Sequence, residues 1–363
     1  MRRFVRLQSL VFGLIAMVLL VAIPRSLGDE IDERIERFLH DHKVPGLSLG
    51  IARGGDLLKA QGYGKANLEW DSPATERTVY QIGSISKTFT ASAVMLLVEE
   101  GKLRLDDRLG QFIEGDELPE AIKALTLEQV LSHTSGVRSF SEINAFSYRR
   151  DYRWPEFLKL IGDQPLDFEP GSKFHYSNSG PPLASLAVTK AAGLPFERFV
   201  AERIFGRLDM TATRYEDDEA IVAERAAGHR LGEGALLKGI PVRPKVIAAS
   251  GGVLSNVPDL LKYDAALAGD RLLPQAALRR MWTPITLADG EKSPYGLGWF
   301  LTPHHAHARV HHGGSTAGGF EAAFVRFVDP PLTVVVLCNR QSAPVVKLAT
   351  DLAEMVEPRL AHE

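Results

Sequence analysis

Cysteine is almost missing from this sequence: Cys338 is the only one in 363 residues, so no intramolecular disulfide can form even in an oxidising compartment. Stability must therefore come from a core. Cys338 directly follows the apolar run Leu332 to Leu337, and its expected role is a small buried residue at the end of a strand. A dominant sign of charge is also lacking. The 42 basic and 45 acidic residues leave a formal net charge of -3, and no basic stripe interleaved with aromatics runs along the chain. Nucleic acid is thus excluded as an expected partner. No H-E-x-x-H occurs, C-x-x-C is impossible with one cysteine, no motif-marked pair of carboxylates is present, and the G-x-S-x-G match Gly46-Leu47-Ser48-Leu49-Gly50 runs into the expected strand at Leu47 to Ala52 rather than standing on the strand-to-helix turn an elbow needs. These gaps count against zinc hydrolases, α/β-hydrolases and glycosidases. Internal repeats and low-complexity stretches are missing as well.

One long hydrophobic run stands at the N-terminus. Arg2, Arg3 and Arg6 precede the almost unbroken apolar stretch Leu10 to Ile23, which ends near Pro24 and matches a secretory signal. Ser26 and Gly28 are small enough to suit cleavage before Asp29, so residues 1–28 are expected to be a signal peptide or an N-terminal anchor. The run is short for a membrane span, and an uncleaved segment is the sole expected contact with a membrane. No cysteine lies nearby to carry a lipid. The expected destination is outside the cytoplasm, in a periplasm or beyond.

From Asp29 onward the chain reads as one globular unit, with 45% hydrophobic and 24% charged residues overall. Ile31 to His40 has helical spacing, and Pro45-Gly46 separates it from a strand at Leu47 to Ala52. A second strand, Leu57 to about Tyr63, follows across Gly54-Gly55, which is the mark of a hairpin. Ser86 to Glu100 predicts a helix apolar on most of its circumference, stopped by Gly101. The stretch from about Asp106 to Gly239 is rich in helix signals, with Thr126 and Gln129 at capping-box spacing. Pro258-Asp259 opens another helix, and Pro274 to Met281 predicts one more. Strands are expected at Gly298 to Leu301, Phe320 to Val328 and Leu332 to Leu337, the last two joined by Asp329-Pro330-Pro331. An amphipathic helix at Val345 to Val356 closes the chain. The implied class is α+β. An antiparallel sheet flanked by helices draws on both ends of the chain, residues 29–82 and 245–363, around an inserted helical lobe at 83–244.

Three short motifs carry chemistry. Ser84-Ile85-Ser86-Lys87 begins a buried helix, and residues three apart share a helix face, so the Lys87 amine can reach the Ser84 hydroxyl. An ordinary lysine, with a pKa of about 10.4, is protonated at neutral pH and cannot take a proton from serine. Burial and the positive end of the helix dipole both push it towards the neutral amine. Backbone N–H groups at the helix start can stabilise an oxyanion. Tyr176-Ser177-Asn178 follows the turn Phe168-Glu169-Pro170-Gly171. There it offers a hydroxyl for proton relay, as phenolate beside an ammonium, and an amide for a substrate amide. His311-His312-Gly313-Gly314 places histidine before glycines that let a substrate approach an edge strand. Each motif alone also fits a plain structural role: a helix cap, a core tyrosine, a strand-end histidine. The cluster His304, His305, His307, His311 and His312 invites a zinc reading, but exposed hairpin histidines explain its first three members, and neither a metal nor any cofactor is expected.

The order S-x-x-K, Y-x-N and a basic residue before x-Gly resembles the serine β-lactamases, the penicillin-binding D,D-peptidases and their esterase relatives, above all the class C-like branch. Leu131-Ser132-His133-Thr134-Ser135-Gly136, Pro170-Gly171, Gly251-Gly252 with Asp259, and Tyr295-Gly296-Leu297-Gly298-Trp299 are similar to the same family, so the resemblance runs from about Asp29 onward. It implies a β-lactamase/transpeptidase-like fold with the site in the cleft between sheet and helical lobe. Ser84 resembles the nucleophile, Lys87 and Tyr176 the proton-handling pair, Asn178 a substrate amide contact, and His312 the residue that opens the third motif. Gly313 and Gly314 complete that motif, and the N–H of Ser315 would join that of Ser84 as oxyanion donor. His133 resembles a structural turn residue. His311-His312-Gly313 is the alternative register for the third motif. Histidine stands where class C β-lactamases have the lysine of K-T-G, which favours carboxylesterase or D,D-peptidase chemistry over efficient lactam hydrolysis. The expected activity is covalent acyl transfer from a small-molecule or peptide ester, amide or lactam. A non-catalytic binder of cell-wall peptide or acyl ligands on the same fold is the alternative.

Overall fold

The protein is described by a computed structural model that covers residues 23–362 apart from Pro244. The apolar run of the expected signal falls largely outside the described residues. Helix α1 (Arg25–Asp41) already includes residues up to the expected cleavage point before Asp29. Among the described residues no helix is long and apolar enough to cross a membrane.

The main sheet joins the two ends of the chain. Strands β1 (Gly46–Arg53), β2 (Asp56–Asn67) and β3 (Ser72–Pro73) come from one end; β4 (Arg309–Thr316), β5 (Phe320–Phe327) and β6 (Leu332–Cys338) come from the other. The order is β3-β2-β1-β6-β5-β4, antiparallel throughout, with Leu49 of β1 opposite Val336 of β6. Gly54 and Gly55, at φ 58 and 96, make the two-residue turn of the β1–β2 hairpin, a conformation that matches the strand twist and that side chains resist. Three further helices position this sheet: α2 (Ser86–Glu99), α3 (Val257–Ala268) and α4 (Val345–Val356).

Side chains of β5 and β6 alternate between two cores, as a period of two dictates. Ala323, Val325, Val334 and Val336 pack outward on Ile31, Ile35 and Phe38 of α1 and on Leu348 and Leu352 of α4. Ala322, Phe324, Val335 and Leu337 pack inward with Leu260 and Tyr263 of α3 and with Phe89 of α2. A strand covered on both faces needs apolar residues at every position, and each such side chain contributes about 1.5–3 kcal/mol on burial. Helix α2 is the centre of the inner core: every residue from Ser86 to Leu97 is buried. Its polar members are satisfied, with Thr90 Oγ1 donating to Ala249 O at 2.6 Å and Ser92 Oγ bonded to the Tyr263 hydroxyl at 2.9 Å.

Two expectations change. Gly298 to Leu301 is not a sheet strand; only Phe300 bridges to His311. The edge strand is β4, where two glycines mask the β pattern and pairing to β5 supplies what propensity lacks. The helical stretch also ends earlier than residue 244. Past a helical segment ending at Gly206, it carries the strands Arg214–Tyr215, His229–Leu231 and Leu236–Lys238. The first of these joins Val253–Ser255 and Tyr80–Gln81 in a small second sheet. Strands of two or three residues are too short to leave a period in the sequence.

Candidate active site

The small sheet sets the turn on which Ser84 stands. Ile82 N–H donates to Val253 O at 3.0 Å, Gly83 takes a left-handed φ of 52, and the 3-10 turn Gly83–Ile85 leads into α2. Ser86 fastens this junction: its hydroxyl donates to Gly83 O at 2.7 Å and accepts from Val253 N–H at 3.2 Å. Ser84 remains partly exposed, whereas Lys87, one turn on, is 1% exposed.

Lys87 Nζ has three partners: Ser84 Oγ at 2.9 Å, Asn178 Oδ1 at 2.9 Å and Ser250 O at 2.7 Å. None of them carries a charge. Burial without a counter-ion pushes the Lys87 pKa well below its ordinary value. The valence of a neutral amine fits these partners. Asn178 Oδ1 and Ser250 O are acceptors only and take its two N–H groups, which leaves the lone pair for the Ser84 O–H. The arrangement can draw a proton from Ser84 as that oxygen attacks.

Asn178 is held from its other side, where Nδ2 donates to Ser139 Oγ at 3.3 Å and Ser141 Oγ at 3.2 Å. Its amide thus links Lys87 to Ser139 and Ser141. Tyr176 lies on a loop, as expected, with its ring centroid 5.0 Å from Lys87 Nζ. Its hydroxyl is buried without a hydrogen-bond partner. Burial raises its pKa and the adjacent Ser84 hydroxyl offsets only part of that, so Tyr176 is a neutral phenol here rather than the phenolate the motif suggests. A low amine and a high phenol form a base and an acid side by side.

His133 organises that loop. Its carbonyl accepts from His175 N–H at 3.0 Å, its Nδ1 accepts from Ser177 N–H at 3.2 Å, and its ring lies 4.3 Å from that of Tyr176. Buried, it is held neutral.

The third motif lies on β4. His311 exchanges both backbone hydrogen bonds with Phe300, N–H to O at 3.0 Å and O from N–H at 2.9 Å, on the side away from β5. The two-residue period then turns the N–H groups of Gly313 and Ser315 to the same open edge. That edge abuts the nucleophile turn: a Cβ on Gly83 would lie 2.8 Å from Ser315 N, and one on Gly314 would lie 1.9 Å from Ile82 O. Gly314 is thus the glycine that close approach demands, which favours the register His312-Gly313-Gly314 over the one that starts at His311. The two histidines also face different partners. His311 Nε2 meets Thr302 Oγ1 at 2.6 Å, while His312 is buried beside Tyr295, whose hydroxyl is 2.9 Å from its Nε2. A cavity of about 420 Å³ borders the site, lined in part by Gly251, Gly252 and Thr316; Ser84 and Lys87 are not among its walls.

Sequence reasoning missed Ser139, Ser141, Ser250 and Tyr295 as parts of the site. Ser250 acts through a backbone carbonyl, which leaves no side-chain signature, and Tyr295 belonged to a resembling stretch without an assigned role. Among the described residues one group could approach a metal ion: His304, His305 and Glu354, with ligand atoms within 4.8 Å of one another. His304 is already paired with Glu354 at 2.6 Å.

Known proteins share this fold. Penicillin-binding protein 4* of Bacillus subtilis is 27% identical over 320 residues, 83% of this chain and 69% of that protein. The chain spans about two thirds of the length of the curated relatives it first matches. Among solved structures, the octameric penicillin-binding protein homologue from Pyrococcus abyssi superposes with a TM-score of 0.77 at 27% identity, covering 92% of this chain and 77% of that one. The D-amino acid amidase of Ochrobactrum anthropi gives 0.78 at 22% identity over 93% and 99%, a likeness of fold. The profile of the Beta-lactamase family matches residues 31–356, and the chain belongs to that family.

Proposed function

We propose that the protein is a serine hydrolase that works through an acyl-enzyme on Ser84, with carboxylesterase or D,D-peptidase chemistry ahead of efficient lactam hydrolysis. The observation that carries this reading is the buried Lys87 amine, 2.9 Å from Ser84 Oγ with no charged partner, where burial lowers its pKa well below the ordinary value. In the first half-reaction Ser84 Oγ bonds to the carbonyl carbon while its proton passes to Lys87 Nζ. The N–H groups of Ser84 and Ser315 hold the oxyanion. The leaving group departs with a proton from Tyr176 or the Lys87 ammonium. Water then attacks the ester carbonyl, gives up a proton to the same pair, and Ser84 is released as the free hydroxyl. Family membership supports the reading, as do the packing of Lys87 on Ser84, Asn178 and the Tyr176 ring and the approach of β4 to the Ser84 turn. Export through residues 1–28 belongs to the same proposal, supported by the basic start and apolar run of the sequence.

A fluorophosphonate probe tests it by intact-protein mass. One adduct per chain is expected, lost in Ser84→Ala. A protein that never labels while retaining affinity for acyl peptides would be the non-catalytic binder instead.

A further inference from the structure

His312 opens the third motif on β4, the strand whose edge abuts the Ser84 turn. Its Nδ1 lies 2.6 Å from Gly313 O, an atom that can only accept, so Nδ1 carries the ring proton. Nε2 is then bare and accepts from the Tyr295 hydroxyl at 2.9 Å, which has no other hydrogen bond among the described residues. Both nitrogens are used inside the fold, and His312 is 1% exposed. A second proton on Nε2 would forfeit the bond that Tyr295 donates, and among the described residues no carboxylate bonds to the ring to compensate. Burial, and next the nearby Lys87, lower the His312 pKa to about 3. Its strand neighbour His311 is also held neutral and turned to Thr302. The adjoining cavity offers no net positive charge either, because Arg198, Arg214, Arg243 and Lys245 share it with Glu197, Glu216, Asp217 and Asp218.

We infer that Tyr295 locks His312 as a neutral imidazole, so the site lacks a fixed cation beside the scissile bond and selects substrates whose leaving group is uncharged. Tyr295 is the positioning residue and His312 the specificity residue. The inference rests on the acyl-transfer reading above and narrows it to carboxylesters and amides over D,D-peptides, whose leaving amino acid carries a carboxylate. A carboxylate drawn into this cleft would lose water without gaining a charged partner, whereas an ester or amide loses little.

Two thioesters of the same acylglycine test it, one with mercaptoacetate and one with the nearly isosteric mercaptoacetamide as leaving group, followed by thiol release. The wild-type enzyme is expected to favour the carboxamide by about tenfold or more in kcat/KM. His312→Lys should narrow or reverse that preference. Nitrogen-15 NMR of the histidines tests the lock without turnover: His312 should stay the neutral Nδ1–H tautomer between about pH 5.5 and 8. In Tyr295→Phe the loss of the donor to Nε2 should raise its titration point and weaken the preference, which a merely structural tyrosine would not do. Equal or faster turnover of the mercaptoacetate thioester by wild type, or a His312 that protonates near neutral pH, overturns the inference. If Ser84 neither labels nor hydrolyses either thioester, the acyl-transfer reading and its selectivity both fall, while the NMR titration still decides the lock.

Discussion

Gly314 and Ile82 touch through their backbones: a Cβ on Gly314 would sit 1.9 Å from the Ile82 carbonyl oxygen. This contact clamps the edge strand β4 against the turn that carries Ser84. Gly313 differs, since a Cβ there would first meet the Val346 Cγ2 at 3.2 Å, a side chain that can give way. Gly314→Ala should therefore destabilise the fold by about 1–3 kcal/mol and lower kcat by more than tenfold as β4 moves off the oxyanion site. Gly313→Ala should do far less on both counts. Thermal unfolding and ester hydrolysis of the two variants, side by side, check the difference; equal effects would contradict the clamp.

Asn178 takes one Lys87 N–H and has no charge to add. Asn178→Asp would set a carboxylate at hydrogen-bond distance from the amine and favour the ammonium. The acid limb of kcat/KM should move to higher pH, with a loss of about 10²-fold at neutral pH. A pH profile unchanged from wild type would show that Asn178 does not tune the lysine.

Acid should weaken the fold through its buried histidines. The folded chain holds His133 and His312 neutral, while in the unfolded chain both protonate below about pH 6.5. Their contribution is therefore complete above that pH. It is lost on acidification, by up to about 1.4 kcal/mol per pH unit for each, until the folded groups protonate, for His312 at about 3. Guanidinium unfolding should show a lower midpoint at pH 5 than at pH 7.5. An equal or higher midpoint at pH 5 would contradict the buried, neutral state.

Cys338 closes β6 in the outer core, and burial pushes its thiol pKa up to about 12. A thiol-directed chromogenic reagent should leave it untouched in the native protein and titrate one thiol after denaturation. Rapid native modification would place it at the surface.

Much of the fold was legible because its signals are local. The β1–β2 hairpin, α2, the β5–β6 pair and α4 each carry a period or a turn that pairing does not alter. Strand β4 was hidden by Gly313 and Gly314, and the purpose of Gly314 lies in a neighbour some 230 residues earlier in the chain, Ile82. The site divides the same way. Helical spacing put Ser84 and Lys87 on one face and a turn presented Tyr176 and Asn178, but only the order of all three motifs, through the resemblance it carries, set them apart from a helix cap and a core tyrosine. The pairing of Asn178 with Lys87, the Ser250 carbonyl and the Tyr295–His312 bond join distant segments, and no single stretch of sequence encodes them. The ionisation states follow from burial, which only the assembled fold defines. Burial raises the Tyr176 pKa, and a phenolate there awaits an ammonium at Lys87.

The rate at which a fluorophosphonate bonds to Ser84, followed by intact mass from about pH 5 to 9 in wild type and Lys87→Ala, tests the role of the neutral amine most directly. Wild-type labelling should rise with pH along a single limb and level off at neutral pH, and the variant should label at least about 10²-fold more slowly. A Lys87→Ala protein that labels as fast as wild type would contradict the account.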